Sequence, residues 1–98
     1  MYEPLAGRML RKKIDAIEPL KRLSCHNILF VDWHKETQQL LATVFGEYSL
    51  EVAHFKKVRF KPRSAEGFSD TRTPKEVFLH GLEQAKALLL DAAGKVDS

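Results

Sequence analysis

Residues 73–94 read Thr73-Pro74-Lys75-Glu76-Val77-Phe78-Leu79-His80-Gly81-Leu82-Glu83-Gln84-Ala85-Lys86-Ala87-Leu88-Leu89-Leu90-Asp91-Ala92-Ala93-Gly94. The first four are a capping box: Thr73 caps, Pro74 takes the first helical position, where its missing N–H costs nothing, and Glu76 reaches back. Val77, Gly81, Ala85, Leu88 and Ala92 fall on one stripe, and Phe78, Leu82, Ala85, Leu89 and Val96 on an overlapping one. Apolar residues three and four apart trace the helical period. The stretch predicts a helix to about Ala93, terminated by Gly94 and about 30 Å long at 1.5 Å per residue. A face that wide meets two neighbouring helices, or one helix and another subunit. Gly81, at a core position and without a Cβ, lets a neighbouring backbone come close.

Three further helical segments precede it. Over residues 4–24, Leu10, Ile14, Ile17, Leu20 and Leu23 keep the same period, with Arg11, Lys12, Asp15, Glu18 and Arg22 on the wet side. Pro19 interrupts the pattern, so a kink is expected near residue 18, with a second piece restarting at Pro19. Ser24, Cys25, His26 and Asn27 read as a polar connector. In residues 30–45 the stripe is Phe30, Trp33, Leu40, Leu41 and Val44, with Thr37 filling the gap and His34, Lys35, Glu36, Gln38 and Gln39 opposite. Ile28-Leu29-Phe30-Val31 reads as the buried entry to this helix, because no partner strand with alternating pattern exists. Gly46 stands where a left-handed cap wants glycine.

Ser49, a good N-cap, opens a third segment expected to run to about Phe60, with Glu51 complementing the helix dipole. Leu50, Ala53, His54, Lys57 and Val58 trace its lattice, Phe55 lies between the faces, and Pro62 ends it. Residues 61–72 form the one long polar stretch, with Phe68 at its centre, and a loop of that length is mobile or functional. The expected fold is all-α: one domain over residues 1–98, a compact bundle of about four helices with a kinked first helix and a long last one.

Composition narrows the function classes. The chain has 98 residues, 44% hydrophobic and 30% charged, with a net charge of +3, which excludes wholesale disorder. No window approaches the ~20 apolar residues of a membrane span. No apolar stretch follows the early basic residues as in a secretory signal, so a cytoplasmic location is expected. The lone Cys25 removes any disulfide framework or cysteine-built zinc site. The five glycines are dispersed, so there is no phosphate-cradling loop, and no His-Glu-x-x-His pair exists. Cys25, His26 and His34 match no structural zinc spacing.

Nucleophilic chemistry fares no better. A helical ribonuclease of bacterial toxin systems would need an arginine, a gap of four to six residues, and a histidine. Arg22 and His26 are separated by three residues and Arg72 and His80 by seven. Ser24-Cys25-His26 and the Asp32/His34 pair bring reactive residue types together without a third group to orient a base. Trp33 at helical spacing reads as a core anchor. The expectation is no enzyme, no catalytic residue, no metal and no cofactor.

The positive charge is uneven. Residues 1–63 hold 12 Lys/Arg against 7 Asp/Glu, and residues 64–98 hold 4 against 6. The densest run is Lys56, Lys57, Arg59, Lys61 and Arg63, interleaved with Phe55 and Phe60. Basic residues alternating with aromatics suit single-stranded nucleic acid, where cations track phosphates and rings stack on bases. The same run also fits a solvated helix end whose cations offset the macrodipole and whose phenylalanines face the core. Together with Phe68, these five basic residues are the candidate interaction site.

Phe30-x-x-Trp33, Leu40-Leu41-x-x-Val44-Phe45-Gly46, Ser49-x-x-Val52-x-x-Phe55 and Phe78-x-x-Gly81-Leu82-x-x-Ala85-x-x-Leu88-Leu89 carry a resemblance over residues 28–92. The pattern resembles a small helical domain of bacterial and phage-related proteins, where it sits ahead of nucleotide-binding or TIR-like effector modules in defence proteins. The resemblance implies an accessory or oligomerisation module, with any activity carried by a fused domain. The leading expectation is a non-enzymatic protein–protein interaction or oligomerisation module, regulatory in character, with a protein partner or a second copy. A nucleic-acid-binding accessory protein using the basic 56–63 segment is the alternative.

Overall fold

Thr73 opens the longest helix as its sequence requires. Its Oγ1 accepts the Glu76 N–H at 3.2 Å and donates to Glu76 Oε1 at 3.2 Å. The computed structural model describes residues 4–61, 64–65, 68–69 and 73–97. In it α1 spans Pro4–Asp15, α2 Ile17–Leu20, α3 Ile28–Phe45, α4 Leu50–Lys57 and α5 Pro74–Asp97. This is an all-α bundle in which α1 and α2 together make the kinked first helix.

The last helix passes through Gly94 to Asp97 rather than stopping near Ala93. Ala92 and Ala93 are buried and Val96 packs on the core. That packing outweighs the roughly 0.5–1 kcal/mol a glycine costs inside a helix. The wide face of α5 packs against α1 and α4, and its Phe78 meets Phe30 of α3. Other elements of the same chain therefore bury most of that face.

Pro19 breaks the first helix, but further upstream than residue 18. The break falls at Ala16, and Pro19 sits third in α2 rather than first. A proline ring crowds the carbonyl four residues back, here Asp15, and offers it no N–H. Ile17 and Leu20 then turn into the core. Asn27 caps α3, its Oδ1 accepting the Leu29 N–H at 2.9 Å. Ile28 and Leu29 are 65% and 62% exposed, so the helix entry is not buried as expected. The stripe of Phe30, Trp33, Thr37, Leu40 and Leu41 sets the buried side, and the two preceding residues fall off it.

A different face of α4 is buried from the one its lattice suggested. Val52 and Phe55 are in the core, whereas Leu50, Ala53, His54 and Lys57 are exposed and Val58 is only partly covered. Burial follows the largest apolar side chain, and Phe55 offers far more area than alanine or the lysine stem. The helix also ends at Lys57, three residues before Phe60. Val58 is extended, and Phe60, 6% exposed, reaches the core from non-helical backbone. Gly81 admits that segment: a Cβ there would stand 2.2 Å from the Arg59 carbonyl oxygen and 2.8 Å from Phe60 Cδ1.

The centre of the molecule is aromatic. Phe30 lies with its ring centroid 5.0 Å from Phe78, 5.1 Å from Phe60 and 5.9 Å from Trp33. Edge, tilted and stacked ring contacts of this kind add to simple area burial. The Trp33 indole N–H donates to the Lys13 carbonyl at 3.0 Å, satisfying an acceptor in the last turn of α1. Within the polar 61–72 stretch, Ser64–Ala65 and Phe68–Ser69 pair as a two-residue antiparallel ladder, β1 and β2. The expected uninterrupted loop therefore carries a minimal strand pairing, too short to alter the class.

Candidate functional site

The α3–α4 hairpin builds a concave surface on which polar groups converge. Gly46 makes the reversal, its φ of 100° lying in the region that disfavours side chains. Its N–H closes α3 onto the Ala42 carbonyl at 2.9 Å. Ser49 then starts α4, Oγ accepting the Val52 N–H at 3.3 Å. The short connection folds α4 back onto α3, bringing Phe55 against His34, and the two helices and their turn line a groove of about 660 Å³. Its lining is His34, Lys35, Gln38, Gln39 and Ala42 from α3, Glu47 and Tyr48 from the turn, and Val52 and Lys56 from α4.

Each contribution follows from helical spacing. His34, Gln38 and Ala42 stand one turn apart, as do Lys35 and Gln39, and Val52 and Lys56. Tyr48 is 98% exposed. At the far end the His34 ring is 5.1 Å from Phe55, 5.3 Å from Phe60 and 6.0 Å from Phe30, centroid to centroid. Burial against those rings, reinforced by the charge of Lys61, pushes the His34 pKa below its ordinary value. The imidazole is therefore neutral at pH 7 and offers one donor and one acceptor.

The candidate basic residues separate in space. Lys56 lines the groove. Lys57, Arg59 and Lys61 are exposed, and Lys61 is close enough for its field to reach His34. Arg63 lies outside the described residues, and so does the Phe68 side chain, although the Phe68 backbone belongs to β2. Phe55 and Phe60 are turned inward, 0% and 6% exposed. Of the two readings of the interleaved run, the phenylalanines follow the one that places them in the core.

Ser24 Oγ accepts the His26 N–H at 3.3 Å, and Cys25 is buried. Among the described residues no three His, Cys, Asp or Glu side chains gather as a metal site. Tyr48, Lys35, Gln38, Gln39 and Glu47 escaped notice as site residues because each alone reads as a solvated polar position. The available signal was the pairing of the polar face of one helix, across a short turn, with Val52 and Lys56 of the next.

No protein-family model, curated protein or solved structure matches the chain. No described helix is long and apolar enough to cross a membrane.

Proposed function

We propose that this chain is a non-enzymatic protein–protein interaction module whose recognition face is the α3–α4 groove. The observation that carries the proposal is Tyr48: an aromatic side chain 98% exposed at the rim of a groove lined by amides and lysines. Tyrosine is enriched at binding hot spots because it brings large apolar area and a hydroxyl at little entropic cost. The broad face of α5, by contrast, is mostly buried within the chain.

The nucleic-acid alternative draws on Lys56, Lys57, Arg59 and Lys61, all exposed. It loses its stacking platforms, since Phe55 and Phe60 are buried. A photo-crosslinking amino acid placed at position 48, in cells of the source organism, tests the two against each other. The expected result is a discrete protein adduct not given by the same label at the exposed Gln84 on α5. An adduct of twice the chain mass would identify the partner as a second copy. A nucleic-acid adduct, or identical adducts from both positions, would overturn the proposal.

A further inference from the structure

The charges of the α3–α4 groove are polarised along its length. His34 and Lys35 lie well back along α3 from the turn, and the His34 ring meets Phe55, the neighbour of Lys56, so Lys35, His34 and Lys56 stand at the end far from the turn. Ala42, Glu47, Tyr48 and Val52 stand at the turn end, with the amides of Gln38 and Gln39 between. From residue 34 to residue 42 the wall is about 12 Å long at 1.5 Å per residue. That seats roughly two turns of a helix or four residues of extended chain.

Two acids that flank this wall in sequence are engaged elsewhere. Glu36 accepts from Lys13 of α1 at 2.9 Å, and Glu51 from Lys95 of α5 at 3.1 Å. Lys35 and Lys56 form no ion pair among the described residues, and Lys61 adds positive potential at His34. We infer that the groove docks a short acidic segment of a partner protein, its carboxylates against Lys35 and Lys56 and an apolar side chain against Ala42, Tyr48 and Val52. The inference rests on the interaction-module reading and names the chemistry of the partner.

A peptide suits the polarity better than a nucleic acid. It can carry its carboxylates at one end and an uncharged anchor at the other, beside Glu47. A phosphate backbone is charged along its whole length and would meet that carboxylate. Gln38 and Gln39 bring amide donors and acceptors that match a peptide backbone. Neutral His34 supplies a hydrogen-bonding group without adding a third cation to the lining.

Chemical-shift titration of the ¹⁵N-labelled chain tests this with three probes. These are a short peptide with glutamates at one end and a phenylalanine at the other, the same peptide with lysines for glutamates, and single-stranded oligothymidine. The acidic peptide should saturate with shifts confined to amides of residues 34–42 and 47–56, and should bind more weakly as salt rises. Lys35→Glu combined with Lys56→Glu should weaken it at least about tenfold, and Tyr48→Ser about threefold or more. These side chains are at the surface, so the variants keep the fold.

Shifts from the lysine peptide equal to those from the acidic one would overturn the inference. So would shifts mapping outside the groove, or tighter groove binding by oligothymidine. A protein adduct at position 48 without binding of the acidic peptide would overturn the acidic partner while leaving the interaction module standing. Neither adduct nor binding would overturn both.

Discussion

Two glycines of α5 have opposite physical roles, and a methyl group distinguishes them. At Gly81 a Cβ would collide with the Arg59 carbonyl oxygen, a backbone atom that cannot swing aside. Gly81→Ala should therefore cost on the order of 1–3 kcal/mol in chemical denaturation. At Gly94 nothing lies within 4 Å of the same methyl, and the residue is helical, so Gly94→Ala should add about 0.5–1 kcal/mol. Thr37 offers a third measurement. It is fully buried, and its hydroxyl has no hydrogen-bond partner among the described residues. Thr37→Val replaces that hydroxyl with a methyl of similar shape and should stabilise by about 1 kcal/mol, read as a raised denaturation midpoint. The role of Gly81 was legible in the sequence, because a glycine on a core stripe buries no side chain and so marks a place where backbones approach. That Arg59 and Phe60 are the backbone it admits was not, since they are some twenty residues away and no longer helical.

Two helix starts were legible from a short polar side chain at the boundary, whereas Asn27, which caps α3, read as part of a connector. Ser49 and Thr73 cap the helices expected of them, through hydrogen bonds reaching three residues forward. Such bonds are local, so sequence alone encodes them. Ser49→Ala should cost about 1 kcal/mol, and hydrogen exchange should show the loss first at the Val52 amide. Because α4 is one wall of the groove, the same variant should also weaken any ligand bound there. Helix ends and faces were less legible. The buried side of α4 is decided by where Phe55 finds aromatic neighbours, Trp33 at 6.1 Å and Phe60 at 6.3 Å. With eight residues, α4 is too short for a periodic pattern to outvote one large ring. Gly94 failed as a terminator for a related reason: Ala92, Ala93 and Val96 still had a core to pack against.

At the scale of the whole molecule, pH reports on how the helices come together. His34 of α3 contacts Phe55 of α4, Phe60 beyond it and Phe30 of its own helix, with the charge of Lys61 nearby. Its folded pKa is depressed, chiefly by burial, while in the unfolded chain it returns to about 6.5. Below that value the unfolded state takes up the proton first, so stability present at neutral pH falls as the medium is acidified and levels off below the folded pKa. Thermal melts at about pH 7.5 and 5.5 should show a drop for the native chain and a smaller one for His34→Gln. A second window lies lower. Glu18 and Glu83 are both held below their ordinary pKa by hydrogen bonds and charge from Lys21. What they contribute is lost only as pH falls below the usual carboxylate range, so the two windows separate.

The amino-acid order by itself determined the order of the main helical segments, where α4 and α5 start, that Pro19 breaks the first helix and that Gly81 serves close approach. These depend on contacts within about a turn or on periodicity along one element, and both are written in consecutive residues. Only the tertiary structure decided that the phenylalanines of the basic run turn inward, that most of the wide face of α5 is buried within the chain, and that Lys35, Gln38, Tyr48 and Lys56 share one groove. Each of these is settled by which faces of different helices meet. That outcome depends on competition for a single core, and no one segment carries it.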